Sequence, residues 1–152
     1  MTPSHRFLAL AALITMSACR GTGNTVVQPA PAAPEAAVVA FLSAVDSNDI
    51  ALMAQLWGTE RGPSTAVVRN AEERERRLVV IQRVLEHNAF RFVPAPHALL
   101  VAPGRRVLWV ELSRGDRRAT VPFTVVGQRS GGWLVEDIGL EAVMSQPGPR
   151  RP

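Results

Sequence analysis

The spacing of apolar residues changes period once along this chain, and that change limits the fold more than any other feature. Val38, Phe41, Leu42 and Val45 recur at i, i+3, i+4 and i+7, which places them on one stripe of a helix. Ile50, Met53 and Trp57 mark a face of a second helix, with Leu52 and Leu56 beside it. Leu78, Ile81, Val84 and Leu85 mark a third. From Phe90 onward the period is two. Phe90–Phe92 and His97–Val101 read as short strands, and Arg106–Leu112, Arg118–Val126 and Trp133–Ile138 as longer ones. Helices followed by a run of strands predict an α+β fold, with N-terminal helices packed on one face of an antiparallel meander.

The punctuation between these segments agrees. Pro34 suits the first turn of a helix. Asp46-Ser47-Asn48-Asp49 breaks the stripe and supplies capping oxygens for the second helix. Gly58 is a natural stop, and Gly58–Ser64 reads as a loop. Asn70 with Glu73 three residues on is a capping-box pattern. Glu72–Arg76 and Glu73–Arg77 are spaced as ion pairs on a solvated helix face. Pro103-Gly104, Arg114-Gly115 and Gly131-Gly132 are turn signals.

Register then selects candidate site residues. With Arg114-Gly115 as a hairpin tip, Glu111 faces Arg118 as a cross-strand charge pair. In the next hairpin the alternation pairs Val125 with Trp133, Phe123 with Val135, and Val121 with Asp137. Pro122 falls on the opposite face, implying an edge or a bulge. The resulting pocket candidates are Trp57, Leu108, Val110, Phe123, Trp133 and Asp137. Asp137 is the one acid on the inward face. Buried there, its pKa would rise and it could serve as a general base; near a strand end, it is simply solvated at the rim. His97, on a strand face with Leu99 and Val101, reads as a rim histidine, and His87 as a partner of helix-terminal carbonyls.

The N-terminus carries an address. Phe7–Met16 is a ten-residue apolar run behind Arg6, too short to span a bilayer and suited to a signal peptide. The four residues Met16-Ser17-Ala18-Cys19 resemble the lipobox of bacterial lipoproteins. That resemblance implies cleavage between Ala18 and Cys19 and acylation of Cys19, the only cysteine of the chain. Arg20 stands where an Asp would signal inner-membrane retention, so the resemblance implies the periplasmic face of the outer membrane. The organisation expected is a signal peptide over 1–18, a lipidated cysteine and Pro/Ala-rich tether over 19–34, an α+β domain over 35–145, and an irregular tail over 146–152.

Charge narrows the partners. The 152 residues carry a net charge of +4, and all 17 basic residues are arginine. Arg74, Arg76 and Arg77 alternate with Glu72, Glu73 and Glu75, and the other arginines are scattered. No basic stripe with interleaved aromatics suggests nucleic acid. One cysteine excludes an internal disulfide framework and a cysteine zinc cluster. No phosphate loop, nucleophile elbow or metal-spaced histidine cluster is present in the sequence, so no cofactor, metal or catalytic residue is assigned.

The order of elements, the break Val45-Asp46-Ser47-Asn48-Asp49-Ile50 and the closing Gly132-Trp133-Leu134-Val135-Glu136-Asp137-Ile138 resemble the nuclear transport factor two-like (SnoaL-like) superfamily, whose α+β domains are cone-shaped. The resemblance covers about Glu35 to Val143. It implies a sheet wrapped on a long helix around an apolar pocket. Superfamily members include isomerases, dehydratases and cyclases, and also non-catalytic binding or dimerising modules. None of the catalytic acids of the enzyme members matches a position here. The expectation is therefore a lipid-anchored binding domain for an apolar small molecule or an envelope protein. An isomerase or dehydratase using Asp137, and a structural envelope protein acting by oligomerisation, for instance as a homodimer, are the alternatives.

Overall fold

The computed structural model describes residues 28–97 and 100–145. Cys19, the signal segment before it and the tail after Ser145 lie outside the described residues.

Helix α1 (Pro34–Asp46) has Pro34 in its first turn and Glu35 beside it, where a fixed φ and a negative charge both suit a helix start. Its stripe is wholly buried: Val38, Phe41, Leu42 and Val45 have no exposed surface. Asn48 takes a left-handed φ of 54° to end the turn. Asp49 then caps α2 (Ile50–Leu56), its carboxylate accepting from Leu52 N–H at 2.9 Å. Gly58–Ser64 is more than a loop. It forms the two-residue strands β1 (Gly58–Thr59) and β2 (Gly62–Pro63) and enters the one-turn helix α3 (Ser64–Val67). Asn70 caps α4 (Ala71–Val84), accepting from Glu73 N–H at 3.0 Å.

Strands β3 (Ala89–Val93), β4 (Arg105–Arg114), β5 (Arg117–Gly127) and β6 (Trp133–Ile138) form one antiparallel sheet in that order, and α5 (Glu141–Met144) closes the described chain. The fold is α+β, as the change of period predicts. The strand expected at His97–Val101 is not seen: His97, Leu100 and Val101 are in no strand, and Ala98 and Leu99 lie outside the described residues. Pro94, Pro96 and Pro103 surround this stretch, and proline cannot donate to a ladder.

The sheet registers differ from expectation in two instructive ways. The β4–β5 hairpin turns on Gly115-Asp116, with Gly115 at φ 58°, so Glu111 faces Thr120 and Arg118 faces Ser113. That shift is two residues, so every side chain keeps its face. Leu108, Val110 and Leu112 still pack inward with Val121, Phe123 and Val125. Between β5 and β6 the register also slips by two, pairing Val125 with Val135, but a bulge follows. Glu136 is the extra residue, so Ile138 pairs with Phe123 and points inward while Asp137 faces Thr124 and is exposed. The expected inward Asp137 is corrected by that bulge.

The main core lies between the helices and the inner sheet face, with Phe41, Leu42, Met53, Leu85, Val110, Val121, Phe123 and Val135 all without exposed surface. Val126 and Leu134 are buried on the other face, outside that cluster. Trp57 bridges Val135 in parallel, and the β1–β2 hairpin lies beside β6. Gly58 permits this approach, since a Cβ there would stand 2.7 Å from Leu134 Cδ1 and 2.3 Å from Gly62 O.

The chain from Gln28 onward, expected as tether, is joined to the domain. Trp133 N–H donates to Pro31 O at 2.8 Å, and Gln28 N–H to Gln55 Oε1 at 3.1 Å.

Candidate binding cleft

The six residues expected to line a pocket do not share one. Val110 and Phe123 are core residues with no exposed surface, and Leu108 and Trp133 pack partly buried against them. Asp137 is exposed beyond the bulge. Only Trp57 borders a cleft, stacked tilted on Phe41 at 5.8 Å between ring centroids. Helix α1 and the inner sheet face are packed directly together there, which leaves those side chains to the core.

The cleft that forms has a volume of about 280 Å³ and lies between the β1–β2 hairpin, α3, α4 and the bulge of β6. Trp57, Val67, Val68 and Leu78 supply its apolar walls, and Glu73, Arg74, Arg77 and Glu136 its charges. Ser64 holds the hairpin-to-α3 corner: its hydroxyl donates to Ala54 O at 2.7 Å, and its N–H donates to Trp57 O at 2.6 Å. That double tie turns Val67 and Val68 back toward α4. Arg74 reaches across, its guanidinium donating to Val68 O at 3.3 Å. A groove of about 350 Å³ on the far side of α3, against α2, shares Arg74 and Leu78. A depression of about 480 Å³ is lined by α4 alone and is the outer surface of one helix.

The charges around the cleft are unevenly satisfied. Glu136 is held by a two-pronged hydrogen-bonded ion pair with Arg105, one prong at 2.7 Å, with both side chains mostly shielded. The Arg105 pKa is raised, chiefly by that hydrogen bond and then by the Glu136 charge. On α4, Glu72 pairs with Arg76 at 2.9 Å as its spacing predicts. Arg74 and Arg77 make no ion pair among the described residues. Glu73 likewise makes no ion pair among the described residues. The cleft therefore offers apolar walls beside two guanidiniums and one unpaired carboxylate, a lining of net positive charge that suits an apolar molecule ending in an acid group.

Elsewhere the sequence-derived candidates have structural partners. Glu111 pairs with Arg91 on β3 at 2.8 Å, instead of with Arg118. The Arg91 hydrogen bond is the largest cause holding the Glu111 carboxyl below its ordinary range, and Arg118 adds a smaller effect of the same sign. His87 Nδ1 lies 3.0 Å from Leu85 O, at the end of α4. His97 packs edge-on against Trp109 at 5.1 Å.

The sequence reading missed Ser64, Val67, Val68, Arg74 and Arg77 as lining residues. Its one available signal was the apolar doublet Val67-Val68 in a stretch otherwise resembling a connection. Among the described residues no group of three or more acidic, histidine or cysteine side chains could hold a metal ion, and no helix is long and apolar enough to cross a membrane. No family model matches the chain, and neither a curated protein nor a solved structure matches it.

Proposed function

We propose that this chain is a lipid-anchored envelope protein whose cone-type α+β domain binds a small apolar molecule bearing an acidic group, without chemical conversion. The observation that carries this reading is the pairing of Trp57, Val67, Val68 and Leu78 with Arg74 and Arg77 in one cleft, where the two guanidiniums outnumber Glu73, the one lining carboxylate with no ion pair of its own. Burial of each methylene of a ligand contributes about 0.8 kcal/mol, and a guanidinium fork orients a carboxylate or phosphate at the mouth. The lipobox-like Met16-Ser17-Ala18-Cys19 supports the anchor, and the order of helices and strands supports kinship with the nuclear transport factor two-like domains. An isomerase reading loses its motive, because Asp137 is exposed.

The test uses the full chain and cis-parinaric acid, an apolar carboxylate whose fluorescence rises on burial. Binding is expected, with loss in Arg77→Glu and in Val68→Asp, both substitutions at exposed positions. Equal binding by the wild type and both variants, or no binding by the wild type, overturns the cleft.

A further inference from the structure

Several stretches of chain meet at one end of the sheet. Gly127 N–H donates to Gly104 O at 2.9 Å, Gly127 pairs with Trp133, and Trp133 N–H donates to Pro31 O. Neighbouring strands are spaced about 4.8 Å apart, so the entry of the chain at Pro31 lies within about 15 Å of Gly104. The β1–β2 turn joins the same end: Arg129 N–H donates to Glu60 O at 3.3 Å, and the two side chains pair at 3.1 Å. Four residues before Gly104 stands Leu100, with its side chain fully exposed, and Val101 follows at 42% exposure. Arg61, Arg105, Arg106 and Arg129 at this end outnumber the acids near them, Glu60, Glu136 and, one residue further along β6, the exposed Asp137. Arg61 and Arg106 are exposed and make no ion pair among the described residues.

Eight residues separate Cys19 from Gln28, so the link between them reaches at most about 30 Å. An acylated Cys19 would therefore place the bilayer within reach of this end, where the chain enters the domain at Pro31. We propose that this end of the sheet rests on an anionic phospholipid surface, with Leu100 and Val101 entering the interface and Arg61 and Arg106 meeting lipid phosphates. The proposal rests on the anchored reading above. Its logic is that of two-signal membrane attachment, in which acyl chains are reinforced by basic residues near the surface.

The full chain carrying Leu100→Cys, labelled with an environment-sensitive thiol dye in vesicles of phosphatidylethanolamine and phosphatidylglycerol, tests this. Asp116→Cys, at the hairpin tip of the other end, is the reference. The dye at position 100 is expected to shift to the blue and to lose quenching by iodide, while that at 116 stays quenched. Adding Arg61→Glu and Arg106→Glu should restore quenching at 100. Equal quenching at both positions overturns the docking. The unsubstituted chain, treated in parallel, takes up no dye when Cys19 is acylated. Uptake there overturns the anchor alone, and a Cys19→Ser, Leu100→Cys chain mixed with the same vesicles then decides the docking by the same quenching comparison.

Discussion

At the scale of single residues, charge placement decides more than charge count. Glu111 stands across from Arg91 on neighbouring strands, and their 2.8 Å contact lowers the Glu111 pKa in the folded chain. A depressed carboxyl pKa stabilises the fold above the unfolded value, near 4.3 for glutamate, and that stability is lost as pH falls through the lower folded value. Glu111→Gln should therefore flatten the acid limb of a urea-midpoint against pH curve, lowering stability at neutral pH while narrowing the gap to wild type in acid. A parallel curve at all pH values would contradict the pairing. The sequence identified Glu111 as half of a cross-strand pair with Arg118, which supplies only the smaller attraction; the direct ion pair is with Arg91 on the other neighbouring strand. The error came from the turn: Arg114-Gly115 looked like the tip, whereas the loop is Gly115-Asp116. Position of a hairpin tip by one residue moves every partner by two. The available signal was Gly115-Asp116 itself, since glycine at the first central position is what a two-residue turn with a positive φ there favours.

At the scale of elements, the sequence was legible wherever one side chain pattern sufficed. The stripes of α1, α2 and α4 and the alternation of β4, β5 and β6 come from burial of one face, which each segment declares for itself. Facing was preserved through both register errors because each was even. It failed only past Glu136, where a single extra residue reversed inside and outside; Pro122 signalled an irregularity in the neighbouring strand but not which residue of β6 would be extra. The cleft was illegible for another reason: it is made where β1, β2 and α3 fold back on α4, through ties such as Ser64 to Ala54 between separate elements. The Asn70 cap makes a prediction at this scale. Asn70→Ala leaves the first turn of α4 without its side-chain acceptor and should cost about 1 kcal/mol by urea denaturation. Because Glu73, Arg74 and Arg77 follow directly, the same variant should bind cis-parinaric acid more weakly, and undiminished binding would separate cap from cleft.

At the scale of the whole molecule, the helical layer and the sheet are joined by the main core, while a second contact fixes how the chain enters. Gly132, at φ 83°, lies so close to Ala30 that an added Cβ would stand 2.7 Å from the Ala30 Cβ. Gly132→Ala adds left-handed strain of about 1 kcal/mol to that collision and should detach the entering segment. Limited proteolysis should then cut between Gln28 and Ala33 at protease levels that spare the wild type, with the far-ultraviolet dichroism of the domain unchanged. Cleavage at equal rates would show that the entering segment is held by other contacts. The bond from Trp133 to Pro31 also has a mechanical meaning. Any pull arriving from the N-terminus loads β6 at its first residue before it can reach α1, so the tension is shared with the sheet and the first helix is spared from unwinding from its end.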